Sequence, residues 1–221
     1  MAKSRIIKEL AKNEIELVSV LKQLKLILVD LNKPELVKWV NSELQGYNEI
    51  SEVPDYRCYT GNLRGTFLNY RVKCNNTPIV LRNDIPDEIK EYVEKVRFRE
   101  GVNSLKQLQS SKGKITFSLP GNILPYIQKY AAVSMTYLVS AYIEISDIAI
   151  TNILSNVENK VMDILIVLEN EFGPLDDLDI DVQSIEKAKV DKMKNIIINI
   201  IYDKHIEIGD NNKIKDSTFN D

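Results

Sequence analysis

The sequence predicts an α+β fold: an N-terminal helical hairpin, a small antiparallel sheet, a long C-terminal helix and a short β tail. Three observations lead there. Apolar residues recur at helical spacing over 5–47 and again over 147–172. Between these segments apolar and polar residues alternate in short runs parted by Gly, Pro and Asn, the pattern of strands and turns. The 221 residues, 44% hydrophobic and 28% charged, suffice for one large domain that buries its core without disulfides or metal. The expected layout is an α+β domain over 1–175, an acidic connector and helix over 176–202, and a hairpin-like tail over 203–221.

The first element is a helix over 5–31. Leu10, Leu17, Leu24 and Leu31 repeat at seven, with Ile7, Leu21 and Leu28 as companions and Glu14 in the missing place. Such a seam serves either a core helix or a dimerising coiled coil. Asn32-Lys33-Pro34-Glu35 then supplies a capping side chain, a first-turn proline and an acid at the positive helix end. The second helix shows Leu36, Val40, Leu44 and Tyr47 on one face, and Gly46 stands where a left-handed terminator belongs. The short connection makes the two helices an antiparallel hairpin.

Residues 55–82 change period. Tyr56, Tyr59, Leu63, Phe67, Tyr70 and Val72 among Gly61, Gly65 and Asn69 read as strands with turns, and Thr77–Leu81 as another short strand. Ile85-Pro86-Asp87-Glu88 starts a third helix reaching Arg97, and Ser104–Gln109 is one or two helical turns. Lys114–Leu119 is a strand broken by Pro120-Gly121-Asn122, and Ile123–Lys129 a short helix. Ala132–Ser146 alternates through Val133, Met135, Tyr137, Val139, Ala141 and Ile143, which favours a strand. Asp147 caps a helix whose apolar positions, from Ile150 to Phe172, keep the 3.6 period without a miss until Gly173-Pro174 ends it. After the acidic connector, 184–194 is helical and 195–202 either extends that helix or turns to strand. The tail alternates over 205–208 and 213–215 about Gly209-Asp210-Asn211-Asn212.

Composition excludes several function classes. The net charge of −3 gives no global attraction to nucleic acid or an anionic membrane. Cys58 and Cys74 fit no zinc spacing and read as reduced thiols of a cytoplasmic protein. His205 is the only histidine, so no histidine-based triad or His-rich metal site is expected. No phosphate loop or dinucleotide fingerprint is present. Asp177, Asp179 and Asp181 have calcium-loop spacing, but Val182 replaces the turn glycine and Ala188 the closing glutamate, leaving a solvated linker. The N-terminus lacks a signal-peptide core, and the polar residues within 131–150 argue against a membrane span. No cofactor or metal is called for.

The run Leu36-Val37-Lys38-Trp39-Val40-Asn41-Ser42-Glu43-Leu44-Gln45-Gly46-Tyr47, followed by Pro54-Asp55-Tyr56-Arg57, resembles the N-terminal signature of AbiTii domains, an abortive-infection family of bacteria. Tyr142–Ser146, Val161–Leu165 and Leu168-Glu169 resemble its C-terminal half, and 206–212 its glycine- and asparagine-rich tail. The resemblance implies an antiphage role and transfers no catalytic residue.

Read physically, Trp39, Glu43, Gly46, Tyr47, Asp55, Tyr56 and Arg57 form either a structural scaffold or a polar cleft built on Glu43, Asp55 and Arg57. Arg64, Arg71, Lys73 and Arg82 lie among aromatics, as in strands that bind single-stranded nucleic acid or, equally, in a sheet whose aromatics face its core. The tail, unstable alone, would pair within a homo-oligomer, dock on its own body or stay disordered. The expected function is an interaction protein of antiphage defence that recognises a phage or host component. A metal-dependent nuclease-like toxin using Glu43 and Asp55, or RNA binding through the Arg64–Arg82 strands, are the alternatives.

Overall fold

The computed structural model describes residues 3–110, 113–132 and 137–203. The tail beyond Asp203, with the strand pairing and assembly expected of it, lies outside them, as do Val133 and Met135. The described chain is a mixed α+β fold with eight α-helices and two antiparallel sheets.

The single helix expected over 5–31 is two, α1 (Arg5–Ala11) and α2 (Leu17–Asp30). The break falls where Asn13 turns left-handed (φ 57°), a conformation asparagine tolerates better than most residues. It is stitched by the Asn13 amide on Leu10 O (3.0 Å) and the Glu14 amide on Glu9 O (2.8 Å). Ile7, Leu10, Leu17, Leu21, Leu24, Leu28 and Leu31 are all buried in the chain's own core. The heptad seam is therefore spent internally and is not open to a second copy.

α3 (Pro34–Gln45) packs back on α2 as the expected hairpin. Lys33, not Asn32, holds the N-cap position, and no side chain caps the helix. Asn32 instead supplies the left-handed residue (φ 49°) that reverses the chain.

A two-stranded sheet pairs β1 (Cys58–Thr60) with β4 (Lys95–Arg97). The larger sheet holds β2 (Asn62–Asn69), β3 (Val72–Pro78), β5 (Ile115–Ser118) and β6 (Tyr137–Ile145) in the order β3-β2-β6-β5. Three helices lie between the strands: α4 (Asp87–Glu94), α5 (Val102–Ser110) and α6 (Leu124–Tyr130). The third helix thus stops at Glu94, because 95–97 alternates exposed, buried, exposed and adds to β1. The strand expected over Thr77–Leu81 is the end of β3, and Leu81 makes an isolated bridge to Ala131. In β6 the alternation changes phase. Thr66 faces Ser140 while Phe67 faces Leu138, so Val139 bulges out. Leu138 is thereby buried on the same face as Ala141, Ile143 and Ile145.

α7 (Ile148–Phe172) is the spine of the core, burying Ile150, Ile153, Leu154, Val157, Val161, Ile164, Leu165 and Leu168. Asp147 is its N-cap by position only. The amide of Ile148 donates to Ser146 Oγ at 3.4 Å. α8 (Lys187–Tyr202) is one continuous helix, so the isoleucine run extends it. Residues 176–202, expected as a separate connector and helix, place Val190, Met193, Ile197 and Ile201 in the same core as α7. A second cluster beneath the sheet joins Leu63, Phe67, Ile79, Val93, Ile127 and Leu138. No helix among the described residues is long and apolar enough to cross a membrane.

The start of α1 is clamped to the end of α7. The Ser4 amide donates to Glu169 Oε1 (2.5 Å), the Ser4 hydroxyl donates to the same oxygen, and Lys3 Nζ lies 2.7 Å from Oε2. Burial works to raise the Glu169 pKa, but these donors outweigh it and hold the carboxyl at about 2, below its ordinary 4.5. A depressed carboxylate pKa stabilises the fold above the unfolded-state value and ceases to do so as pH falls through the folded one. The stability gap between the native chain and Glu169→Gln, read from urea melts, is therefore expected to be full at neutral pH and to close between about 4.5 and about 2.

Candidate functional site

The Trp39–Arg57 segment is built from a helix end, a turn and a strand start. Trp39 and Glu43, four residues apart, share the inward face of α3. Gly46 ends the helix at φ 101°, and a Cβ there would sit 2.7 Å from the carbonyl oxygen of Arg99. The chain is pinned at this point. The Tyr47 amide donates to Arg99 O (2.8 Å), and Arg99 Nε donates back to Tyr47 O (2.9 Å). Gly46→Ala combines a disfavoured φ with a backbone clash, so a loss of about 2 kcal/mol is expected in denaturant melts.

Beyond this turn, Tyr47, Tyr56 and Arg57 converge on Glu43. Glu43 Oε1 accepts from the hydroxyls of Tyr47 (2.5 Å) and Tyr56 (2.6 Å) and from Arg57 Nε (3.1 Å). Arg57 Nη2 donates to Oε2 at 2.5 Å, completing a two-pronged pair. Arg57 Nη1 donates to the carbonyls of Phe98 (3.2 Å) and Glu100 (2.7 Å), and the guanidinium lies 5.1 Å from the Tyr47 ring centre. Trp39 Nε1 donates to Tyr56 Oη at 3.0 Å. Both charged side chains are 0% exposed.

Burial, together with the Glu43 charge, pushes both tyrosine hydroxyls well above their ordinary pKa, so they remain donors. For Arg57, burial works to lower the pKa, and the adjacent Glu43 carboxylate outweighs it and raises it. Satisfying each buried charge in this way makes its burial tolerable.

One further residue, absent from the expected site, adjoins the cluster. Lys160 of α7 is nearly buried, and its Nζ lies 5.0 Å from the Tyr56 ring centre. It donates to Ile200 O and Asp203 Oδ1, both at 2.6 Å, so it fastens the end of α8 beside the segment. The sequence carries a signal for it: a lone cation at helical spacing from Val157 and Ile164 on an otherwise apolar face.

Asp55 does not join them. It is exposed at the start of the 3₁₀ turn Asp55–Arg57 and makes no bond to Glu43 or Arg57. The geometry of the segment is that of a brace and not of a cleft. Among the described residues no three His, Cys, Asp or Glu side chains converge as a metal-binding group.

The basic residues are dispersed. Arg64 donates to Asn76 Oδ1 (2.5 Å) and Asn76 O (2.6 Å) and lies 4.0 Å from Glu144. Arg82 pairs with Asp84 (3.0 Å) and stacks over Tyr130 (5.8 Å). Arg71 and Lys73 stand exposed beside the β2–β3 turn. Of the interleaved aromatics, Phe67 is in the core, Tyr56 belongs to the brace and Tyr59 packs edge-on against Phe98. Tyr70 alone of that set is fully exposed, at 90%. These aromatics do not form a stacking platform along the basic strands.

Beside the brace runs a groove of about 440 Å³, bounded by α3, the turns over 50–57 and the last turn of α8. Comparison with known families gives a match of the AbiTii model to residues 4–196. No curated protein and no solved structure matches the chain.

Proposed function

This chain belongs to the AbiTii family, and from that premise we propose that it is an antiphage, abortive-infection protein that works by binding a phage or host protein. The family match, over 4–196, supports the defence role. The observation that carries the binding reading is the state of Glu43. This acid, the best candidate for metal-assisted hydrolysis, is 0% exposed, with both oxygens committed to Arg57, Tyr47 and Tyr56. A carboxylate so engaged serves as a brace, where catalysis would need several acids free to converge on a metal. The same brace fixes the walls of an open groove, which suits recognition.

Assembly belongs to the proposal through the tail. Deleting 204–221 leaves Asp203 on Lys160 and removes only the segment beyond it. A smaller species in light scattering, with lost protection in a phage-infection assay, is the expected result. Unchanged size and protection would remove the tail and its oligomer from the mechanism.

A further inference from the structure

We infer that the open face of the larger sheet, at its β2–β3 hairpin end, binds single-stranded nucleic acid, with Tyr70 and Tyr137 stacking on bases and Arg71 and Lys73 holding phosphates. The site shares no residue with the brace or its groove. It stands or falls independently of the protein-binding reading.

The face is set by strand alternation. Phe67 points into the core, so Leu68, next in β2, points to the opposite side. Its register partners are Lys73 on β3 and Tyr137 on β6, and cross-strand partners share a face. One row across three strands thus reads Lys73, Leu68, Tyr137, all of them exposed. α4 and α6 pack on the other face, through Val93 and Ile127. Tyr70 and Arg71 form the turn just beyond this row. The second ring therefore comes from β6 and not from the basic strands themselves.

The uncompensated charge here is positive, although the whole chain carries −3. No Asp or Glu stands between Asp55 and Asp84, nor between Glu100 and Glu144. Glu144 is thus the only acid in the four strands, and it is taken by Lys114 (2.9 Å) with Arg64 at 4.0 Å. Arg57, Arg82 and Lys106 are likewise paired, with Glu43, Asp84 and Glu16. Arg71 and Lys73 are exposed and have no partner among the described residues. Two free cations with no acid nearby in the sheet suit a polyanion.

Tyr70 is the second, independent observation. It holds φ 54°, a left-handed conformation that a bulky residue adopts at a cost. Leu178, another large side chain at such a φ, packs against the core, which offsets the strain. Tyr70 is 90% exposed and has no such compensation. A turn chosen for folding alone would carry Gly or Asn there. An exposed ring kept in a strained turn beside two free cations fits stacking on a base. Further along the same face stand Thr66 and Ser140, register partners, and then Ser118 beside Tyr142. These hydroxyl groups suit sugars and base edges and do not suit acyl chains.

The full chain, titrated into fluorescein-labelled oligouridylate and followed by anisotropy, should show saturable binding at low salt, tighter than to a duplex of equal length. Tyr70→Gly relieves the turn and removes the ring. It should melt about where the native chain does in urea, yet bind about tenfold more weakly. Arg71→Gln with Lys73→Gln should also bind more weakly. It should lower the slope of log affinity against log salt by about 1.4, the share of two single-strand phosphate contacts. No binding at low salt, native binding by both variants, or a preference for the duplex would overturn the proposal. Co-sedimentation with phosphatidylserine vesicles that Tyr70→Gly abolishes, with oligonucleotide binding unchanged, would give the face to a lipid surface and overturn it. A smaller species of Tyr70→Gly in light scattering would give it to a second copy of the chain, with the same consequence.

Discussion

Glu43→Gln should destabilise the fold by about 3–5 kcal/mol, because it leaves the Arg57 guanidinium charged and without a counter-ion in a dry site. The expected loss is a large share of the roughly 5–15 kcal/mol that holds a typical domain together. Arg57→Met should cost a similar amount for the converse reason: Glu43 would then be a buried anion with only two tyrosine donors. The double variant is expected to recover most of this loss. Its amide oxygen still accepts from Tyr47 and Tyr56, and no charge is left buried. Urea melts of the four proteins give the coupling, and near-additive single losses would show that the pair is not the source of the effect.

Leu165→Ala should cost about 3 kcal/mol, the sum of a lost transfer term and an unfilled cavity. Leu165 is fully buried on α7, the helix against which α1, α2, α5 and α8 pack. Its neighbours come from several elements and cannot collapse together into the space. Leu165→Met keeps most of the volume and should lose less than about 1.5 kcal/mol. Ile148→Ala, on the same helix but 63% exposed, should be close to neutral. A similar small loss at both sites would mean that α7 is not the central helix of the core.

α7 was legible because a long apolar stripe repeating every 3.6 residues fits a buried helix face and does not fit a strand. Every position of that stripe from Ile150 to Leu168 is buried. The first helix was legible in face and not in continuity. A heptad seam looks the same whether it meets a second chain or its own core, and Asn13 reads as an ordinary polar position until its left-handed turn is seen. The bulge at Val139 could not be read, since it is set by the pairing of β6 with β2, residues far apart in sequence. Lys95–Arg97 continued a helical pattern locally and was drawn into a strand by β1.

For the site, the Trp39/Glu43 spacing gave the shared helix face directly. The convergence of Tyr47, Tyr56 and Arg57 on one carboxylate depends on Gly46 and on the pinning by Arg99, more than fifty residues on. Asp55 and Arg57 are two apart, yet a single 3₁₀ turn exposes one and buries the other. Proximity in sequence was thus a poor guide to which acid meets the arginine.

Phage protection by the Glu43→Gln, Arg57→Met double variant, at a temperature where its melt shows it native, separates a brace from a reacting site most directly. If Glu43 and Arg57 only brace the groove, protection should equal that of the native chain. A folded double variant that fails to protect would contradict the brace and make the pair part of a reacting site.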